Sequence, residues 1–214
     1  MHSFLIIGLS QFGRETARKL VRFGEEVLAI DIDLEKVDRI AGEVDARQGD
    51  CLNEEVLQSL DIPHYDHVIV SISEDIKVSA LITTMVKEMG AKHIICQSYD
   101  DKHSRLLRRI GADYIVCPEM DMGDRIARKF SADLINFIPL NGDQSIVEVN
   151  IPAGWVGKSL RELNVRANYG VNVIGVRKTD SDFLDTSLHP DLRFTEKDIL
   201  MVVGMSQNIA RMLK

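Results

Sequence analysis

The chain has 214 residues, 45% of them hydrophobic and 28% charged, with a formal net charge of -7. That length allows one large or two small domains, and the balance is that of an ordinary globular protein. The acidic charge argues against nucleic acid as a main partner, because a basic face would be expected.

No apolar run reaches transmembrane length and the start has no signal-peptide layout, so a cytoplasmic protein is expected. Cys51, Cys96 and Cys117 are widely spaced, with no C-x-x-C pair. They read as small core residues of a reducing compartment rather than as a metal cluster.

The first element is an apolar strand, Phe4-Leu5-Ile6-Ile7, running into the turn Gly8-Leu9-Ser10-Gln11-Phe12-Gly13. Thr16, Ala17, Leu20, Val21 and Phe23 then recur at helical spacing, and Gly24 stands where a helix-ending glycine belongs. A second strand, Val27 to Ile30, ends in Asp31. Strand, glycine turn, helix, strand and acid follow the order of a Rossmann nucleotide unit.

Gly8 allows the tight exit from the strand, Gly13 allows helix and sheet to approach, and the helix start offers N–H groups to a phosphate. Asp31 is the expected acceptor for ribose hydroxyls. Neither Ile32 nor Asp33 supplies a cation for a 2′-phosphate, which disfavours NADP. Ser10 occupies the second glycine position of G-x-G-x-x-G. Its hydroxyl is expected to bond a phosphate oxygen while its Cβ takes up space. A ligand-free structural turn is the alternative reading.

Further along, Leu34 to Val44 carries Val37, Ile40, Ala41 and Val44, a second helix, and Ala46-Arg47-Gln48 is a short strand ending in Gly49-Asp50. Asn53 caps a helix with Val56, Leu57 and Leu60, closed by Pro63. Val68 to Ile72 is a strand buried on both faces. Ile76 to Met89 is the longest helix, stopped by Gly90. A strand at Ile94-Ile95-Cys96, a helix around Leu106, Leu107 and Ile110, and a strand at Tyr114 to Cys117, broken by Pro118, complete the series. Strands alternating with helices predict an α/β, doubly wound parallel sheet.

Ligands of such sheets sit beyond the carboxyl ends of the strands, where Gly8, Ser10, Asp31, Asp50, Ser71 and Glu119 fall. Asp50 reads either as an acid near an adenine amino group or as a turn residue; Ser71 and Ser73 read as ligands or as turn residues. Asp121 is expected to cap a helix with Met122, Ile126, Phe130 and Leu134, whose apolar face has no evident partner. The segment 137–143 reads as a linker, placing domain boundaries at 1–138, 139–144 and 145–214.

The last 70 residues hold short strands at Ile146 to Ile151, Val171 to Val176 and Ile199 to Val203, and helices at Leu160 to Leu163 and Ser206 to Leu213. They predict a smaller α+β domain. Asp180, Asp182 and Asp185 read as a solvated loop, His189 as isolated, and Trp155 as core. No nucleophile–base pattern stands out, so the chain reads as a sensor rather than an enzyme. The alternatives are a small NAD-dependent oxidoreductase and a stand-alone nucleotide-binding adaptor.

Several segments then acquire a common meaning. The run from Ile6 to Gly13, Asp31-Ile32-Asp33, Arg109 to Asp113, Pro118-Glu119-Met120-Asp121-Met122-Gly123 and Leu163 to Gly170 resemble the regulator of potassium conductance (RCK) family. The likeness is greatest to cytosolic gating subunits of bacterial Ktr and Trk potassium uptake systems, and it spans essentially the whole chain.

The resemblance implies an N-terminal nucleotide domain and a C-terminal regulatory domain. It implies homodimers paired through a crossover helix at about 121–134 and assembled into an octameric ring beneath a membrane potassium pore. ATP, ADP or NAD(H) would bind around Gly8, Ser10, Gln11, Phe12, Gly13, Asp31, Ile32, Asp50, Cys51, Ser71 and Ser73. Glu119 would help hold a divalent or monovalent cation near the phosphates. Arg166 would lie near a cyclic di-AMP site.

Two positions depart from the family's G-L-G-R-F-G. Gln11 stands where an arginine reaches the γ-phosphate, which removes a charge-assisted contact of about 1.5–3 kcal/mol. Together with Ser10, that shifts the expected preference toward ADP, AMP or NAD.

Overall fold

The computed structural model describes residues 1–131, 134–140, 143–178, 181 and 183–213. Two compact units divide after Asp121, residues 1–121 and 122–214.

The first unit begins with strand β1 (Ser3–Ile7), helix α1 (Gln11–Arg22), β2 (Glu26–Asp31), α2 (Leu34–Asp38), β3 (Asp45–Gln48) and α3 (Glu54–Ser59). It continues through β4 (His67–Val70), α4 (Ile76–Glu88), β5 (Ile94–Gln97), α5 (Asp101–Arg109) and β6 (Tyr114–Val116); helix α6 (Pro118–Ser131) begins in the first unit and ends in the second. The strands pair in the order β3-β2-β1-β4-β5-β6, all parallel. That is the Rossmann order, with the reversal between β1 and β4.

Side chains alternate across the sheet. Leu5, Ile7, Leu28, Ile30, Val68 and Val70 pack with Leu57, Ile82, Val86 and Leu107 on one face. Ile6, Ala29 and Ile69 pack with Leu9, Ala17, Val37 and Ile40 on the other. Leu5 and Ile6 are both fully buried, each worth about 1.5–3 kcal/mol relative to exposure. From Phe4 to Ile7 β1 is therefore apolar, as a strand covered on both faces must be.

The second unit holds β7 (Leu134–Pro139), β8 (Gln144–Asn150), α7 (Leu160–Leu163), α8 (Val165–Tyr169), β9 (Asn172–Arg177), β10 (Leu184–Asp185), β11 (Ile199–Met205) and α9 (Ser206–Met212). Its sheet runs β10-β9-β11-β8-β7, and every pairing is antiparallel. The core contains Val147, Val149, Leu163, Leu200 and Ile209, with Trp155 against Tyr169 and Phe194.

Several elements differ from expectation. The second helix stops at Asp38 rather than Val44. Turn hydrogen bonds from Ala41 N–H to Val37 O and from Val44 N–H to Ile40 O keep Ile40 and Val44 in the core without a helix. Pro118 opens α6 rather than only ending β6, because a first-turn residue needs no N–H partner. Asp121 thus lies inside the first turn, its N–H on Cys117 O at 2.9 Å, and is not the cap.

Leu134 belongs to β7, not to the preceding helix, and 137–139, where a linker was expected, pair with β8. Proline is tolerated there because β7 is an edge strand. Asn141 and Gly142 of that expected linker, and Asp180 and Asp182, lie outside the described residues.

Candidate functional site: a nucleotide cleft at the carboxyl edge of the parallel sheet

A cavity of about 270 Å³ opens beyond the carboxyl ends of β1, β2 and β4. Gly8, Ser10, Asp31, Ile32, Asp50, Cys51, Ser71 and Ser73 all line it. These residues come from the ends of different strands, and the sheet order gathers them.

The glycine turn is built for close approach. Gly8 has φ +94°, in the left-handed region that glycine adopts without strain. A Cβ there would lie 2.6 Å from Ser71 O. At Gly13 an added Cβ would lie 2.4 Å from Gly8 O and 2.8 Å from Ser71 Oγ, so helix and turn touch through backbone. Gly8 N–H donates to Ile30 O at 2.8 Å, and Arg14 Nη1 donates to Leu9 O at 2.7 Å, holding the turn from both ends.

Asp31 is buried, and both carboxylate oxygens already accept backbone N–H groups. Oδ2 takes Leu9 N–H at 2.6 Å and Oδ1 takes Asp33 N–H at 2.9 Å. An ionised carboxylate offers about four acceptor positions, so capacity for ribose hydroxyls remains. Asp31 thus shapes the glycine turn as well as facing the cleft. Asp50 accepts Leu52 N–H at 2.9 Å and lines the wall, so the turn role and the cleft position coexist. Burial pushes the Cys51 thiol up to about 12, helped by Asp50 and Asp31, so it stays protonated and packs.

Ser10 differs from expectation in what its hydroxyl does. It caps α1, accepting Gly13 N–H at 3.2 Å, and lies 2.6 Å from Ser71 Oγ and 2.8 Å from Gln97 Oε1. The hydroxyl is held by protein partners instead of being presented to a phosphate. Gln11, Phe12 and Gly13 do not line the cavity. Gln11 is exposed at the first position of α1, and Phe12 packs against the Leu9 and Ile6 core. A helix start places successive side chains about 100° apart, so only some face the cleft.

Three further residues escaped sequence reasoning. Lys36 of α2 also lines the cleft, a cation that the reading of Ile32 and Asp33 did not include. Glu74 lines it after β4. Gln97 lies beneath the glycine turn, from β5. Only the helical offset from Asp33 could have flagged Lys36, and no local pattern signalled Gln97.

The residues fit an adenine nucleotide: a glycine turn allowing backbone contact with phosphate, a helix start behind it, and a carboxylate after β2. The TrkA-N domain matches residues 4–118 and the TrkA-C domain residues 145–214. The chain belongs to the TrkA-N/TrkA-C family.

Curated relatives of this TrkA-N/TrkA-C chain include Ktr system potassium uptake protein C of Bacillus subtilis, 36% identical over 99% of this chain and 96% of that one. The Ktr system potassium uptake protein A of Vibrio alginolyticus is 34% identical over 99% and 96%. Among solved structures, a GsuK channel bound to NAD superposes with TM-score 0.69 at 22% identity, over 99% of this chain but 38% of that chain. A GsuK bound to ADP superposes with TM-score 0.53 at 20% identity, over 62% and 35%. At those identities the likeness is one of fold.

One further expected residue of the first unit stands apart from the cleft. Glu119 is exposed in the first turn of α6 and does not line the cavity. No group of three or more metal-binding side chains occurs among the described residues. Arg166, in the TrkA-C region, is exposed on α8.

Proposed function

We propose that this chain is the nucleotide-sensing gating subunit of a potassium channel or transporter, acting at the cytoplasmic face beside a membrane pore subunit. Support comes from relatives named as Ktr potassium uptake proteins over nearly the whole length. No helix among the described residues is long and apolar enough to cross a membrane.

The observation that carries the reading is the cleft: Gly8 and Asp31 line it at the switch point of a parallel sheet, with Gly13 packed against the glycine turn, in a chain that adds an antiparallel domain. An adenine nucleotide, ATP, ADP or NAD(H), is the signal. Such a ligand shifts a two-state assembly only by its differential affinity for the two states. A coupling of about 1–3 kcal/mol suffices, and the charge difference between phosphate forms at the α1 terminus supplies a source for it.

The nucleotide-bearing unit would act through homodimers built on α6, whose Met122 and Ile126 are about half exposed, assembled into an octameric ring. Glu119 would share a cation across subunits and Arg166 would meet cyclic di-AMP at the second domain. The test is a melting and calorimetry panel of ATP, ADP, AMP, NAD, NADH and cyclic di-AMP, with and without magnesium, paired with solution scattering. Binding of an adenine nucleotide by an assembly larger than a dimer is the expected result. No binding by any of them, or steady turnover of a nicotinamide substrate, would overturn the sensing role.

A further inference from the structure

The buried contact beneath the glycine turn carries an assignment of its own, which rests on the nucleotide reading of the cleft. Ser10 Oγ, Ser71 Oγ and Gln97 Oε1 form a triangle with sides of 2.6, 2.8 and 2.8 Å. Ser71 and Gln97 are 1% and 3% exposed, and of the two only Ser71 lines the cleft, so the one opening from this pair toward a further partner is the cleft itself.

Counting protons decides what this triangle is. Two hydroxyls bring two protons, and a carbonyl oxygen brings none. With Oε1 facing the serines, two protons must serve three close contacts. A half-turn of the Gln97 amide exchanges Oε1 and Nε2 while leaving the heavy-atom framework in place. The NH₂ group then brings two protons of its own.

Ser10 Oγ also accepts Gly13 N–H at 3.2 Å. With one bond from Gln97, its two lone pairs are filled, so its own proton must go to Ser71. Ser71 Oγ then accepts from Ser10 and from Gln97. All three contacts are satisfied, and one proton remains: that of the Ser71 hydroxyl. Ser71 lines the cleft beside Gly8.

We propose that Ser71 is a phosphate-binding residue of the cleft, donating its hydroxyl to a phosphate oxygen of the bound nucleotide, and that Gln97 is the positioning residue that frees that proton by donating to both serines. Ser10 in the glycine position belongs to the same device. Its side chain is drawn down toward Gln97, leaving the turn's backbone to the ligand.

The test compares ADP with adenosine, which lacks phosphate, by calorimetry on the full chain. Ser71→Ala removes the donor. Gln97→Glu replaces two N–H donors with a carboxylate that draws both hydroxyl protons to itself. Each is expected to weaken ADP by about tenfold or more, tenfold being the lower end for a bond to a charged group, and adenosine by less than about twofold. The double variant should be no weaker than the weaker single variant, within about twofold, because both changes remove one proton.

Melting curves on each variant report folding. Equal losses for ADP and adenosine, or ADP binding unchanged in Ser71→Ala, would overturn the assignment. So would full additivity in the double variant, which would make the Gln97→Glu effect one of charge alone. Failure of the unsubstituted protein to bind ADP, AMP or NAD would instead remove the nucleotide reading itself, and this assignment with it.

Discussion

Gly13→Ala tests the geometry of the cleft most directly. The added Cβ would lie 2.4 Å from Gly8 O, 2.8 Å from Ser71 Oγ and 3.0 Å from Ser71 Cβ, the first roughly 1 Å inside ordinary contact. The obstructing oxygen has little room to yield. Gly8 N–H is bound to Ile30 O at 2.8 Å, and Ser71 N–H to Ile7 O at 2.7 Å.

Overpacking of this kind costs about 1–3 kcal/mol, and the gain in helix propensity from glycine to alanine returns about 1 kcal/mol. A steric cost at the high end follows from the backbone contact, for a net loss of about 2 kcal/mol, or roughly 6–12 °C in Tm for a unit of this size. Helix α1 must move away from the sheet, so ADP affinity falls as well.

Gly42→Ala is the control: nothing lies within 4 Å of its added Cβ, and a change between zero and a gain of about 1 kcal/mol is expected. Urea unfolding followed by circular dichroism, with calorimetry for ADP, reads both. A Gly13→Ala protein as stable and as tightly binding as the parent would refute the close approach of turn and helix.

Four further outcomes follow from the same geometry. Asp31→Ala leaves the buried Leu9 N–H without its 2.6 Å acceptor and should cost about 1–3 kcal/mol, with loss of nucleotide binding; a variant of parental stability contradicts the bond. Burial, with His93 and His2 nearby, holds His67 below the ordinary histidine range, while Asp66 opposes this. The unfolded chain therefore takes the proton first, and stability falls as pH drops below about 6.5. His67→Phe should flatten that slope in denaturation midpoints between pH 7 and 5, leaving the part due to His103, which burial also holds low against the pull of Asp100.

In the second unit, Asp198 is 2% exposed. Desolvation raises its pKa, but Lys178 Nζ at 2.7 Å and Thr195 N–H at 2.8 Å outweigh it, and the net shift is downward. Its contribution is present above about pH 4 and lost as pH falls below. Lys178→Met should destabilise by about 1–2 kcal/mol, less than for a fully buried pair because the lysine is half exposed; a flat acid titration in that variant is the check. Cys51, its thiol raised to about 12, should resist iodoacetamide at pH 7.5 until the chain unfolds, measured by mass spectrometry. Rapid labelling of the folded protein would contradict its burial.

Local sequence carried most of the first domain because its signals are local. β1 is apolar on both faces, Gly24, Gly90 and Gly111 end helices at positive φ, and Asn53 caps α3 through Glu55 N–H. The second domain was less legible. β7 contains Pro139 and reads as a loop until its edge position is known. Helix α8 follows α7 across Asn164, a non-glycine residue at φ +41° whose role no composition rule announces.

The site divides in the same way. Spacing along one chain segment was enough to find Gly8, Gly13 and Asp31, since a turn and the strand that follows it are joined by covalent geometry. The function of Ser10 was not visible there, because its partner Gln97 is 87 residues away and reaches it only through the pairing of β1 with β4 and β4 with β5. Lys36 entered the cleft, and Gln11 and Phe12 left it, for a related reason. Periodicity says which residues share a face, and only the packed sheet says what that face looks upon.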